Sequence, residues 1–113
     1  MEENQLDELI EVAMKIIINA GDARQQCQAA LKAAKQFDFA GAAEFMKEAD
    51  ALMLLAHQAQ TGIIQNEAAG RSYGPSLLFN HAQDTLMTIK SELALARDMI
   101  EFFEIINNKI EKQ

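Results

Sequence analysis

One cysteine, one proline, no tryptophan and five glycines in 113 residues exclude several kinds of protein at once. A lone thiol, Cys27, closes no internal disulfide and builds no multi-cysteine zinc site. It reads as a small core residue. With β-branched residues scarce outside Ile16-Ile17-Ile18, the composition favours an all-α protein over any sheet. Positive charge is also in short supply: ten Lys and Arg stand against seventeen Asp and Glu, a net charge of −7. A nucleic-acid backbone repels such a chain, whereas a basic protein surface suits it. No apolar run approaches the ~20 residues that cross a bilayer, and Met1-Glu2-Glu3-Asn4 lacks the basic and apolar regions of a secretory signal, so the chain is expected in the cytoplasm. The length suits a single domain over 1–113, small for an enzyme with its own substrate cleft.

What is present is helical periodicity. Leu9, Ile10, Ala13, Ile16, Ile17 and Ala20 follow the i, i+3, i+4, i+7 spacing of an amphipathic helix, and the pattern resumes through Ala23, Cys27, Ala30, Leu31 and Ala34. The spacing predicts a first helix over about 5–36, with Gly21-Asp22 marking a bend or a close helix approach. Asp38 reads as an N-cap, with Phe37 stapling the start of a second helix over about 39–67. The stretch 69–76 holds two glycines and the only proline and is the clear loop. A third helix follows over about 76–111. Three long helices with short connections make an up-down-up three-helix bundle. The last helix carries Met99 beside Ile100, then Phe102-Phe103 and Ile105-Ile106, more apolar surface than one stripe can bury, which points to another subunit.

The chemistry is concentrated in His81-Ala82-Gln83-Asp84-Thr85-Leu86-Met87-Thr88. At 100° per residue His81, Asp84, Thr85 and Thr88 share a narrow arc of a largely apolar helix. The plain account is a solvated seam; the sharper one makes His81 a nucleophile or proton carrier whose surroundings Asp84 tunes. His57 lies on the second helix in Ala56-His57-Gln58-Ala59-Gln60-Thr61, and Gln60 and Gln83 supply amides able to donate to a phosphoryl group. Leu54 and Leu78 occupy the positions three before the histidines, so the Glu-x-x-His pattern of di-iron bundles is absent. His-Glu-x-x-His, a P-loop and Gly-x-Ser-x-Gly are absent too, which removes the main support for metalloprotease, kinase and hydrolase readings.

Four ordered motifs carry a resemblance: Asn19-Ala20-Gly21-Asp22-Ala23-Arg24, Asp38-Phe39-Ala40, Ala56-His57-x-x-Gln60-Thr61, and His81-Ala82-Gln83-Asp84-x-Leu86-Met87-Thr88. Through them the chain, from about Leu9 to Lys109, resembles the lactose/cellobiose-type enzyme IIA subunits of the bacterial sugar phosphotransferase system. The resemblance implies a homotrimer in which His81 receives a phosphoryl group from the phosphocarrier HPr and passes it to a cysteine of enzyme IIB during disaccharide uptake. It makes the chain a phosphotransferase component, linked to the membrane only indirectly through the enzyme IIC transporter. His57, Gln60, Gln83 and Thr85 are the expected support around the phosphoryl group. Asp84 is the expected ligand, from three copies, of a divalent metal ion, with Mg²⁺ the natural choice for oxygen-only ligation. The family commonly has a second histidine directly after that aspartate; here Thr85 stands instead, able to donate one hydrogen bond but not to carry a positive charge. Two other classes compete. One is a histidine-containing phosphotransfer domain of a two-component relay, although His81 lacks the usual His-x-x-Lys-Gly; the other is a helical adaptor in which both histidines are passive.

Overall fold

Side chains cap the starts of the second and third helices, and backbone amides close the helix ends. In the computed structural model, which describes residues 3–113, α1 spans Glu3–Lys35, α2 Phe39–Ala68 and α3 Leu77–Glu111. No strand occurs among the described residues. The Asp38 carboxylate accepts a 2.9 Å hydrogen bond from the Gly41 amide and caps α2, and Ser76 Oγ accepts one of 3.1 Å from the Phe79 amide and caps α3. α1 closes in a Schellman turn: the Asp38 amide donates to the Ala33 carbonyl and the Phe37 amide to that of Ala34. Phe37 takes the left-handed position glycine usually fills, at φ 64°. Its ring lies 5.5 Å from that of Phe103 on α3, and Phe39 meets the same ring edge-on at 5.6 Å. The staple expected of Phe37 thus works across helices rather than along α2, because the turn aims the ring at α3.

Small side chains set the packing. Ala13, Ala20, Ala23, Ala30 and Ala34 alternate with Leu9, Ile16 and Cys27 on the buried face of α1, against Ala42, Met46, Ala49, Ala56 and Ile63 of α2 and Leu86, Ile89, Leu93 and Ala96 of α3. α1 packs along both partners, while α2 and α3 meet far less extensively. The result is a rod of 66 × 20 × 18 Å with an open seam between α2 and α3. The Gly21-Asp22 pair does not interrupt α1, and a Cβ on Gly21 would meet nothing within 4 Å. The expectation of a close approach there does not hold inside the protomer, since Gly21 lies off the buried alanine stripe.

Charged groups tie the rod at three levels. Arg71 donates to Glu8 at 2.5 Å, the buried Tyr73 hydroxyl donates to the same carboxylate at 3.1 Å and accepts from Asn66 at 2.7 Å, and the Arg71 guanidinium lies 5.3 Å over the Tyr73 ring. This cluster fastens the loop before α3 to the first turns of α1. Arg24 forks onto Glu92 with two 2.8 Å bonds, joining α1 to α3, and Arg97 on α3 bonds Asp50 on α2 at 2.5 Å.

A Cβ on Gly41 would collide with the capping carboxylate of Asp38. Asp38→Ala is therefore expected to cost about 1 kcal/mol in the parent and much less in a Gly41→Ala background, where the cap is already displaced. Urea unfolding of the two single variants and the double variant checks this. An undiminished cost in the alanine background would show that the cap tolerates the methyl group.

Candidate functional site

The second turn of α3 begins with His81, on the face that neither α1 nor α2 covers. His81, Asp84 and Thr88 are exposed and Thr85 is half-buried, so the arc expected from the spacing is an open polar strip. The His81 imidazole makes no hydrogen bond or ion pair with any described residue. A neutral imidazole needs a partner to fix which ring nitrogen carries the proton, and the protomer supplies none. The single proton of Thr85 is already engaged: its hydroxyl donates to the His81 carbonyl at 2.8 Å.

The two amides are elsewhere. Gln83 lies two residues from His81, about 200° around the helix, and so points to the opposite side. Its side-chain oxygen accepts a 3.1 Å bond from Gln60, which is buried at the α2–α3 seam. His57, one turn before Gln60, lines a groove of about 400 Å³ in the same seam, together with Lys90, Arg97 and the apolar side chains of Met53, Leu86 and Leu93. The structure thus pairs Gln60 with Gln83, leaves His57 on the groove one turn earlier on α2, and sets His81, Asp84 and Thr85 apart on the outer face of α3. Within one protomer these are two separate constellations.

Sequence reasoning passed over Glu92, although it lies on the His81 face, eleven residues along. The Arg24 guanidinium, by hydrogen bonding, holds the Glu92 carboxyl below the usual carboxylate range. Arg24 stood in a quoted motif with no role; its role is to lock α3 onto α1 below the strip. No local signal singled it out, since its partner stands 68 positions away in the chain. Burial pushes the Cys27 thiol up, in keeping with an inert core residue.

One chain presents only one carboxylate at Asp84, and no group of three His, Cys, Asp or Glu side chains among the described residues could hold a metal ion. Asp84 is exposed. Desolvation of its charge therefore arises only if another chain covers the strip. No helix among the described residues is long and apolar enough to cross a membrane.

The chain is an all-helical bundle that presents an open histidine on the outer face of α3, apart from the grooves of the α2–α3 seam. Residues 11–104 match the family described as "PTS system, Lactose/Cellobiose specific IIA subunit", and the chain belongs to that family, a group of phosphotransfer proteins. It is 41% identical over 102 residues to the N,N′-diacetylchitobiose-specific EIIA component of Escherichia coli K12, covering 90% of this chain and 88% of that one. The crystal structure of a cellobiose-specific enzyme IIA from Bacillus anthracis matches with a TM-score of 0.83 at 36% identity, covering 88% of this chain and 91% of that one. The chitobiose IIA in a solution complex with HPr, from Escherichia coli, matches at 0.77 and 40% identity, covering 95% and 99%. Family membership displaces the two-component reading.

The depressed carboxyl of Glu92 stabilises the fold above the unfolded carboxylate value, near 4.3, and that contribution fades as pH falls through the lower folded value. Because the pair is about two-fifths exposed, Glu92→Gln is expected to cost only about 0.5–1 kcal/mol at pH 7. The difference from the parent should shrink as the pH is lowered from 7 to 2. Denaturant melts at both pH values check it, and a gap that persists in acid would count against the ion pair.

Proposed function

We propose that this chain is a cytoplasmic phosphocarrier that accepts a phosphoryl group from phospho-HPr on His81 and delivers it to a cysteine of enzyme IIB during disaccharide uptake. The observation that carries the reading is the unpartnered, exposed imidazole of His81 inside the His81-Ala82-Gln83-Asp84 motif of a family member. A relative's complex with HPr supports the donor. A ring nitrogen of His81 attacks phosphorus as the donor's phosphorus–nitrogen bond breaks, and the electron pair returns to the donor imidazole. The second step forms a sulfur–phosphorus bond and restores His81. Such transfers need little covalent help; positioning and charge stabilisation dominate. Openness serves both steps, because each partner can cover the strip and exclude water.

The proposal includes a homotrimer. The Gln60–Gln83 pair and His57 face away from their own His81, so they serve a phosphoryl group only from across an interface between copies. Thr85, with its hydroxyl bonded to the backbone, orients the second turn of α3 rather than donating to phosphate. Three Asp84 carboxylates converging on an axis would hold a divalent cation, Mg²⁺ by the hardness of its oxygen ligands, whose chemistry is to neutralise charges that otherwise repel.

His81→Ala is expected to abolish acceptance from phospho-HPr, while His57→Ala retains it. The parent should carry one acid-labile, base-stable phosphate by mass spectrometry. Acceptance by the His81 variant would move the phosphoryl site to another residue, and none by the parent would favour a passive adaptor.

Unit charges about 4 Å apart repel by roughly 4 kcal/mol per pair at an effective dielectric near 20. Asp84→Leu is therefore expected to keep the trimer, melt no lower than the parent, and lose the parent's sensitivity to chelator. Sedimentation and melting with and without chelator test this. A monomeric variant, or one still sensitive to chelator, would exclude Asp84 as the axial ligand.

A further inference from the structure

Of the loop residues 69–76, Tyr73 alone is buried, at 2% exposure. Loops ordinarily run over the surface, so a buried tyrosine is this loop's anchor. Its hydroxyl uses both of its capacities, donating to Glu8 on α1 at 3.1 Å and accepting from Asn66 on α2 at 2.7 Å. Arg71 takes the other oxygen of the same Glu8 carboxylate at 2.5 Å. One phenol oxygen thus bonds two helices while its own backbone leads into the third.

The link from Tyr73 to α3 is short and stiff. Gly74, at φ 70°, and Pro75, whose ring fixes φ, are all that separate it from Ser76, whose hydroxyl caps the helix. His81 follows Ser76 by five residues, about 1.4 turns. Beside this link the loop leaves space: a cleft of about 120 Å³, lined in part by Tyr73, Pro75, Ser76, Asn80 and Gln83, lies between loop and helix. Packing from the loop therefore does not set where α3 begins; the chain does. The His81 imidazole has no hydrogen bond to any described residue, so its direction is inherited from the helix that carries it.

We infer that Tyr73 is a positioning residue for phosphoryl transfer: its hydroxyl, by joining Glu8 to Asn66, fixes the start of α3 and thereby the direction in which His81 is presented. The inference rests on the proposed phosphocarrier role of His81. Tyr73 acts through the backbone, since it is buried and stands eight positions before the histidine. A displacement of reacting atoms by about 1 Å can cost on the order of 100-fold in rate. Affinity for the donor is spread over a whole interface and senses so small a shift far less.

The test uses the full chain and single-turnover transfer from phospho-HPr. Tyr73→Phe keeps the ring and removes the hydroxyl, and Glu8→Ala removes its acceptor. Each is expected to lower the maximal rate about tenfold while the half-saturating concentration of phospho-HPr stays within about twofold of the parent's. The double variant should be no slower than the slower single variant, because both cut one bond. Glu8→Gln, whose amide oxygen still accepts from Tyr73, should recover most of the rate. Asp50→Asn, which cuts the ion pair to Arg97, sixteen residues along α3 from His81, should transfer at the parent's rate. Hydrogen exchange of the amides of residues 79–83, faster in Tyr73→Phe than in the parent, reads the geometry without phosphate. Parental rates in both variants, a change confined to half-saturation, or an equal loss in Asp50→Asn would overturn the inference. So would unfolding of both Tyr73→Phe and Glu8→Ala, since the hydroxyl would then support the whole bundle; if only one keeps its helical circular dichroism, that one decides. A parent that accepts no phosphate refutes the phosphocarrier reading instead, and unchanged exchange in Tyr73→Phe then refutes the hold on α3 as well.

Discussion

Alanine on the inner face of α1 governs everything else in this molecule. Ala13, Ala20, Ala23, Ala30 and Ala34 let two helices approach α1 closely along its length, and Leu9, Ile16 and Cys27 fill the space between. Close packing against one thin helix uses a single stripe of α3 and leaves its far side bare. The uncovered side is where His81 and Asp84 lie. Had α1 carried bulky residues throughout, α3 would stand off and the two remaining faces would compete for cover.

The same geometry separates residues that stand side by side in the chain. His81 and Gln83 are two positions apart, and a helix sends such neighbours to opposite faces. One faces solvent; the other enters the α2–α3 seam and pairs with Gln60. Fastening at the helix start makes this arrangement rigid. The Arg71–Tyr73–Glu8 cluster holds the loop before α3 to α1, and Ser76 then starts α3 at a defined residue. The Arg24–Glu92 fork secures the level below the strip. On the proposal that His81 carries the phosphoryl group, these ties would help fix where it is presented, because misplacement of reacting atoms by about 1 Å is costly in rate.

Helix number, order and most boundaries were legible because periodicity and caps are local signals. Asp38 announces α2 within three residues, and the apolar spacing of α1 names its inner face. The strip of His81, Asp84, Thr85 and Thr88 was legible for the same reason: one helix and one angle suffice. Gly21 misled, since a glycine in a helix signals close approach only when its face is known, and its face is not the packed one. Glu92 and Tyr73 were not legible, because each acts through a residue more than sixty positions away in the chain.

By itself the sequence determined the composition of each helix face, where the helices begin, and which histidine stands in a motif, because these depend on residues within a turn or two of one another. Tertiary structure alone decided which faces are covered. It put the Gln60–Gln83 pair out of reach of its own His81, engaged the Thr85 hydroxyl on the backbone, and left the last turns of α3 without a neighbour. Those outcomes follow from how three rods of unequal bulk pack around one alanine-lined helix, and such packing is settled only when all three are in place.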